Sequence, residues 1–258
     1  MNNDTKKPLI LITNDDGISA KGINELVEAV RELGEVVVFA PDGPRSGMSS
    51  AITSIHPIRF KEIRKEEGVT YYRCTGSPVD CVKLYMHAFP LQKPDIVLSG
   101  INHGGNMAVA VIYSGTMGAA MEGCIFGISS IGFSITDHHS KADFTESKRI
   151  AKDITAKILA NHLPEGIYLN VNIPEGNAVK GIKICKQAKG KWVNEYMQGE
   201  DPSGNPVYWL TGEFRDSDPD NEANDTWALD NGYASVVPCK IDATDYDFMQ
   251  HLTSWENQ

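Results

Sequence analysis

The chain has 258 residues, enough for one large α/β domain or for one domain with an appendage. Its 34 acidic and 24 basic side chains give a formal net charge of −10 at neutral pH. Duplex nucleic acid is bound by Lys and Arg side chains that neutralise phosphates, so this charge argues against such a partner. A small phosphate compound held at one local site, with a metal ion, is compatible with it.

The five cysteines are scattered without a C-x-x-C pair, and their odd number fits reduced thiols that fill the core. The amino-terminal segment MNNDTKKP lacks the apolar run of a signal peptide. No run of about 18 apolar residues, the length that spans a bilayer, occurs anywhere. We therefore expect a soluble, cytoplasmic protein with no membrane partner.

The first part of the chain alternates strand and helix patterns. An apolar, β-rich run at residues 9–13 precedes a helical stripe from Ile23 to Val30, and residues 36–39 form a second apolar strand. This βαβ pattern predicts parallel strands joined by a right-handed crossover.

The runs at residues 58–63 and 70–73 predict either a solvent-facing hairpin or a pair of short strands. The residues Ser77 to Asp80 then supply a cap, a first-turn proline and an acid, which predict a helix that ends near Ala88.

The alternation continues with a buried strand that ends near Leu98 and a helix of small residues over 113–127. A strand at 129–135, a long helix over Thr145 to His162 and a strand over Ile167 to Ile173 follow. Repeated βα units of this kind indicate an α/β fold with a mostly parallel sheet and flanking helices.

From Gly181 onward helical periodicity fades, and turn-rich segments separate aromatic runs such as VYWL. This pattern predicts an extended β-hairpin arm. The arm either packs against another subunit or folds back on its own domain. We expect the acidic segment from Arg215 to Asp225 to be a solvated loop. The chain then divides into a catalytic domain, 1–180, and an arm with a closing strand, 181–258, that serves oligomerisation.

Polar residues follow three of the predicted strands, and ligands bind at the carboxyl ends of strands in open parallel sheets. Asp15 and Asp16 follow the first strand, and two adjacent carboxylates there repel each other and are costly to desolvate. A hard cation such as Mg²⁺ or Mn²⁺ would offset that repulsion through oxygen ligands. Ser46 and Asn102, from the second and third strand ends, complete a candidate ligand set. The alternative is that Asp15 or Asp16 only caps a turn.

The third segment also contains the start of a helix at Ser114, Gly115 and Thr116. Free backbone N–H groups, the helix dipole and two hydroxyls there can bind an anion, although an ordinary serine cap explains the same residues. A metal at one strand end and an anion site at its neighbour together favour phosphoryl chemistry. A P-loop motif and the H-E-x-x-H arrangement of zinc enzymes are both absent from the sequence.

Several segments, in order, resemble the SurE family, the stationary-phase survival proteins: ILITNDDGISAKGINEL, APDGPRSGMSSAIT, GSPVDCVKL, PDIVLSGINHGGN, VIYSGTMGAAMEG and LNVNIP. The later DPSGNPVYWLTGE and DTWALDNGYASVVP resemble the family's arm and closing strand. The resemblance implies a Rossmann-like α/β fold with a carboxyl-terminal β-hairpin arm that is exchanged between subunits of a homodimer or homotetramer.

The resemblance also implies a metal-dependent 5'/3'-nucleotidase, or acid phosphatase, that hydrolyses nucleoside monophosphates with one divalent ion. The family's metal ligands fall on Asp15, Asp16, Ser46 and Asn102, the same set that the strand ends suggest. Its phosphate-side positions fall on Asn106 together with the helix start, Ser114, Gly115 and Thr116. Asp15 and Asp16 would then be the catalytic residues.

One segment departs from the family pattern. After Asn106 the family usually has a glycine and one or two acids, whereas this chain has Met107, Ala108, Val109 and Ala110. The lost negative charge bears on substrate preference more than on metal binding.

Two questions of mechanism stay open on the sequence. His103 is either a proton donor or a solvent-facing loop residue. The attacking group is water or Asp15, and the adjacent pair Asp15 and Asp16 lacks the D-x-D spacing of phosphatases that form an aspartyl-phosphate, which favours water. Two other functions fit the same residues: a non-catalytic, metal-dependent nucleotide-binding module, and a sugar-nucleotide transferase that binds a metal-bound diphosphate.

Overall fold

The computed structural model describes residues 7–139, 141–176 and 178–256. Residues 1–6, most of the segment in which we expect no signal peptide, lie outside the described residues. The strands are β1 (Leu9–Thr13), β2 (Glu35–Pro41), β3 (Phe60–Glu66), β4 (Val69–Cys74), β5 (Ile96–His103), β6 (Ser129–Ile135), β7 (Ile167–Ile173), β8 (Ile182–Ile184), β9 (Gly190–Val193), β10 (Tyr196–Glu200), β11 (Pro206–Leu210), β12 (Glu213–Asp216) and β13 (Ala234–Lys240). The α-helices are α1 (Lys21–Val30), α2 (Pro78–Ala88), α3 (Gly115–Ile125), α4 (Thr145–Asn161), α5 (Asp225–Asp230) and α6 (Tyr246–Leu252).

The central sheet has the order β3-β4-β2-β1-β5-β6-β7-β13-β8, nine strands within the described ranges. The strands from β4 to β7 pair in parallel, and antiparallel pairs occur where β3 meets β4 and where β13 meets β7. The predicted α/β fold with a mostly parallel sheet is thus confirmed. Its strands are apolar on both faces because helices cover both sides.

The two largest apolar clusters of buried residues lie between the sheet and its helices. The larger joins Ile10 and Ile12 to α1 and α4, and the smaller joins Leu11 and Phe39 to α2 and α3. Helix α3 lies close to the sheet because its residues are small: a Cβ atom on Gly123 would lie 2.4 Å from the Ser130 hydroxyl. This close packing brings the start of α3 to the strand ends.

The predicted start of α2 is confirmed in detail. The Ser77 hydroxyl accepts a hydrogen bond from the Asp80 N–H, and the Asp80 carboxylate accepts one from the Ser77 N–H. This capping box fixes the helix start, and the helix ends at Ala88 as predicted.

The carboxyl-terminal part is less uniform than the sequence suggests. Strands β8 and β13 belong to the central sheet, whereas the arm consists of two antiparallel pairs, β9 with β12 and β10 with β11. The expectation of a solvated loop from Arg215 to Asp225 is wrong at both ends, because Arg215 and Asp216 belong to β12, and Asp225 begins α5 and is fully buried. Short helices such as α5 carry too few turns to show a periodicity.

The five cysteines are free thiols, four of them buried, as expected. Among the described residues, no helix has the length and apolar character needed to cross a bilayer.

Candidate active site

The turn after β1 is built so that two carboxylates follow the strand. The Asn14 side chain closes the turn by bonding both the N–H and the carbonyl of Gly17. Gly17 has φ +95°, and a Cβ atom there would lie 2.9 Å from the Gly43 backbone. Only glycine combines that conformation with so close an approach of the two loops.

Asp15 is 4% exposed and lies against the start of α3. Its Oδ1 accepts a 2.5 Å hydrogen bond from the Thr116 hydroxyl, and a Cβ atom on Gly115 would lie 2.9 Å from the Asp15 Cβ. Burial raises the pKa of the Asp15 carboxyl to about 6; the Thr116 hydrogen bond opposes this rise, and the nearby Asp16 charge adds to it. A cation close to Asp15 would therefore stabilise the ionised form of its carboxylate.

Asp16 faces His103, near the end of the neighbouring strand β5. The Asp16 Oδ2 accepts a 3.3 Å hydrogen bond from the His103 N–H and lies 3.6 Å from the His103 Nδ1. The His103 ring packs edge-on against Phe144, and its Nε2 is buried without a hydrogen-bond partner among the described residues. His103 is thus packed beside Asp16, which differs from the solvent-facing alternative.

Ser46 and Asn102 lie on the same side of the sheet as the two acids. The residue before Ser46, Arg45, donates its N–H to the Asp15 carbonyl at 2.6 Å, which holds the Ser46 loop beside Asp15. The Asn102 amide nitrogen donates to the Gly104 carbonyl at 2.7 Å, so its side-chain oxygen is the atom left for a ligand. Strand β5 continues to His103, beyond the predicted end near Leu98, and so holds Asn102 within the sheet.

These residues surround a cavity of about 480 Å³. From the predicted set the cavity is lined by Asp15, Ser46, Asn102, Asn106 and Ser114. The structure therefore brings five of the eight predicted site residues to one cavity, with Asp16 beside it through His103.

Of the four residues predicted to bind the phosphate, two line the cavity, Asn106 and Ser114, and two do not, Gly115 and Thr116. The Ser114 hydroxyl caps α3 by accepting a hydrogen bond from the Met117 N–H, and it keeps its own proton for donation. The Asn106 amide nitrogen donates to the Ser134 hydroxyl at 2.8 Å. Gly115 and Thr116, in contrast, do not line the cavity, because both are packed against Asp15. The α3 start therefore stabilises the Asp15 carboxylate directly.

The far wall of the cavity was not predicted from the sequence. This wall comes from the root and inner edge of the arm, with Trp192, Glu195, Tyr196, Leu210 and Thr211 as lining residues. The aromatic residues of the arm were visible in the sequence, but nothing local indicates that they face Asp15, about 180 residues away along the chain.

The donor atoms at this cavity fit a hard divalent cation. Two carboxylates, a hydroxyl and an amide oxygen are the oxygen ligands that Mg²⁺ and Mn²⁺ take, usually with several waters. Within the described ranges no three His, Cys, Asp or Glu side chains form a ready metal cluster, so an ion here would need the neutral oxygens of Ser46 and Asn102.

The comparisons with known proteins agree with these observations. The family model described as "Survival protein SurE" matches residues 10–194. A protein from Phocaeicola vulgatus named 5'-nucleotidase SurE is 51% identical over 250 residues, 97% of each chain. A protein of the same name from Bacteroides thetaiotaomicron is 49% identical over 255 residues, 99% of this chain and 98% of its own.

The fold comparison gives the same result. The crystal structure of the SurE protein from Aquifex aeolicus matches with a TM-score of 0.83 and 40% identity, and the match covers 96% of this chain and all of that one. On the matched sequence, the whole-length relatives and this shared fold, the chain belongs to the SurE family.

Proposed function

We propose that this chain is a 5'/3'-nucleotidase that hydrolyses nucleoside monophosphates to nucleoside and phosphate, with one Mg²⁺ or Mn²⁺ ion held by Asp15, Asp16, Ser46 and Asn102. The observation that carries the proposal is the buried Asp15 beside Asp16 at the floor of a nucleotide-sized cavity. The names of the whole-length relatives support the nucleotidase activity.

When bound, the ion would supply positive charge to the phosphoryl group and lower the pKa of a water molecule. The chain's own residues position the reactants. Ser114, at the start of α3, would donate its hydroxyl proton to a phosphate oxygen, and Asn106 would bind another from the same side. Thr116 and Gly115 act behind Asp15, since Thr116 hydrogen-bonds its carboxylate and Gly115 leaves space for it.

Water is the nucleophile in this proposal. Asp15 Oδ1 accepts the Thr116 hydrogen bond and is buried, so attack by Asp15 on phosphorus would disrupt the contact that holds it. A carboxylate that stays in place can instead orient the attacking water.

The nucleoside part of the substrate would lie against the arm. Trp192 and Tyr196 line the cavity opposite the carboxylates and present aromatic surface on which a base can stack. Ala110 lies in the same lining, at the segment where the family usually has acids. The uncharged side chain there makes this wall less repulsive to an anionic substrate.

The arm also supports a homodimer or homotetramer as the working assembly. Met197, Tyr208, Trp209 and Leu210 on the β10–β11 hairpin are between 60% and 73% exposed. Large apolar side chains grouped in this way on one hairpin are typical of a surface that a second copy covers. Sedimentation of the chain with and without residues 196–210 would test this assembly.

Phosphate release from AMP, GMP and an aryl phosphate, with and without EDTA, tests the proposed function. We expect release from the nucleotides, loss of release in EDTA and recovery with Mg²⁺ or Mn²⁺. Nucleotide binding without release would instead support a binding module. Competition by a UDP-sugar against AMP would support a transferase.

A further inference from the structure

We propose that Asp225 is a positioning residue that fixes the two walls of the cavity to each other. It would do so by joining the segment after Asn106 to the root of the arm. This inference rests on the proposed function only for its activity readout, because the contacts themselves are independent of the reaction.

Asp225 is fully buried and its carboxylate accepts three backbone hydrogen bonds. Oδ2 accepts from the Ala108 N–H at 2.8 Å, and Oδ1 accepts from the Ala188 N–H at 2.9 Å and from the Thr226 N–H at 2.9 Å. Ala108 and Ala188 are themselves buried. One side chain thus joins two backbone segments that lie 80 residues apart in sequence.

Each segment leads directly to one wall of the cavity. Ala108 begins a 3₁₀ helix, Ala108–Tyr113, that contributes Ala110 and Tyr113 to the cavity and ends next to Ser114. Ala188 lies four residues before Trp192, and β9 contacts the same 3₁₀ helix. Moving either segment would therefore change the distance between Ser114 and the aromatic wall.

The backbone at Ala108 explains why such an anchor is needed. Ala108 has φ +51°, a left-handed conformation that a residue with a Cβ atom disfavours. It lies in the segment where the family pattern has a glycine and this chain has none. The hydrogen bond to Asp225 holds Ala108 in this conformation, which an isolated segment would leave.

A carboxylate suits this position better than an amide. Three N–H donors converge on it, and among the described residues no Lys or Arg forms an ion pair with it. Asn in its place would turn an NH₂ group toward one N–H donor and leave that donor without an acceptor. Asp225→Asn therefore removes one of the hydrogen bonds that hold a wall of the cavity, while it preserves the shape of the side chain.

We compare Asp225→Asn with a control variant, Asp216→Asn. Asp216 is the last residue of β12 and lies close to Asp225. Asp216 accepts a hydrogen bond from the Thr226 hydroxyl and does not line the cavity. We expect Asp225→Asn to lower kcat/KM for AMP about 10- to 100-fold, mostly through KM, because the walls and not the metal ligands move. The Mn²⁺ affinity and the activity of Asp216→Asn should change by less than about twofold.

The double variant with Asp225→Asn and Ala108→Gly should have a kcat/KM at least about threefold higher than that of Asp225→Asn alone. Glycine adopts the left-handed conformation without an anchor, so the loss of the Asp225 hydrogen bond should matter less. An unchanged KM in folded Asp225→Asn, or no recovery in the double variant, would overturn the proposal.

Hydrogen exchange keeps the proposal testable if Asp225→Asn does not fold or the chain lacks phosphatase activity. The Ala108 and Ala188 amides should exchange slowly in the wild type, because both are buried and bonded to Asp225. Exchange of either amide at the rate of an open loop would contradict the proposal. If the wild type releases no phosphate but both amides exchange slowly, the proposed nucleotidase function is refuted, while the role of Asp225 in joining the two segments is supported.

Discussion

The floor of the cavity and its far wall differ in how they are held. Asp15 is 4% exposed and its carboxylate accepts a hydrogen bond from Thr116, whereas Tyr196 and Leu210 are 66% and 73% exposed. A buried, hydrogen-bonded carboxylate stays in one geometry, while exposed arm residues can adapt to a ligand. In the function we propose, the chemistry takes place at the strand ends and the arm binds the nucleoside.

A substitution at the floor of the cavity, where Asp15 and Asp16 lie, should lower the activity most. Asp16→Asn removes one charge from the pair without changing the size of the side chain, and we expect phosphatase activity to fall by more than about 100-fold, beyond the usual loss for an outer-shell change. Initial rates at saturating Mg²⁺ or Mn²⁺, with circular dichroism for the fold, are the measurement. Asp153→Asn, an exposed acid on α4, is the control. Near-normal activity in Asp16→Asn would remove Asp16 from the ligand set.

A smaller effect should follow from the contact behind Asp15. Thr116→Val removes the hydroxyl that bonds Asp15 and keeps the shape, so the metal affinity should fall about 10- to 100-fold while saturating metal restores the rate. Isothermal titration with Mn²⁺ measures this. Thr155→Val is a matched control, because the buried Thr155 hydroxyl has no hydrogen-bond partner among the described residues. Equal affinities in the two variants would contradict the role of Thr116.

The arm should affect substrate choice more than rate. Tyr196→Ala should weaken kcat/KM for AMP about tenfold, the usual value for one stacked base, and leave ribose 5-phosphate nearly unchanged. Phe248→Ala on α6, an aromatic residue that is 58% exposed and does not line the cavity, is the control. Equal losses on both substrates would show that Tyr196 acts on the fold and not on the base.

The pH dependence of the stability of the metal-free protein should show the smallest effect. Because burial raises the pKa of Asp15 to about 6, the folded state holds a proton that the unfolded state releases near pH 4. The raised pKa of Asp15 contributes at most about 3 kcal/mol to the free energy of unfolding. This contribution is complete below pH 4 and is lost as the pH rises through about 6. The nearby Asp16 charge adds to this rise in the Asp15 pKa, and the hydrogen bond from Thr116 opposes it.

Thermal unfolding in EDTA across pH 4–7 measures this contribution. The Tm of the wild type should fall relative to that of Asp15→Asn as the pH rises. A constant difference between the two proteins would contradict the raised pKa.

The sequence predicted the strand ends better than it predicted the arm. The positions of Asp15, Ser46 and Asn102 follow from parallel strands whose carboxyl ends share one edge, which is a local pattern repeated along the chain. The cavity wall at Trp192 and the buried Asp225 depend on contacts between segments far apart in sequence, which no local pattern encodes. The packing of Thr116 against Asp15 escaped prediction for the same reason.

In the site that we propose, two neighbouring carboxylates at the end of β1 hold a divalent cation. Anomalous scattering from crystals soaked in Mn²⁺ tests it most directly. We expect one peak within bonding distance of Asp15 and Asp16 in the wild type and a weaker or absent peak in Asp16→Asn. A wild-type map without a peak beside these residues, at a Mn²⁺ concentration that supports phosphate release, would contradict it.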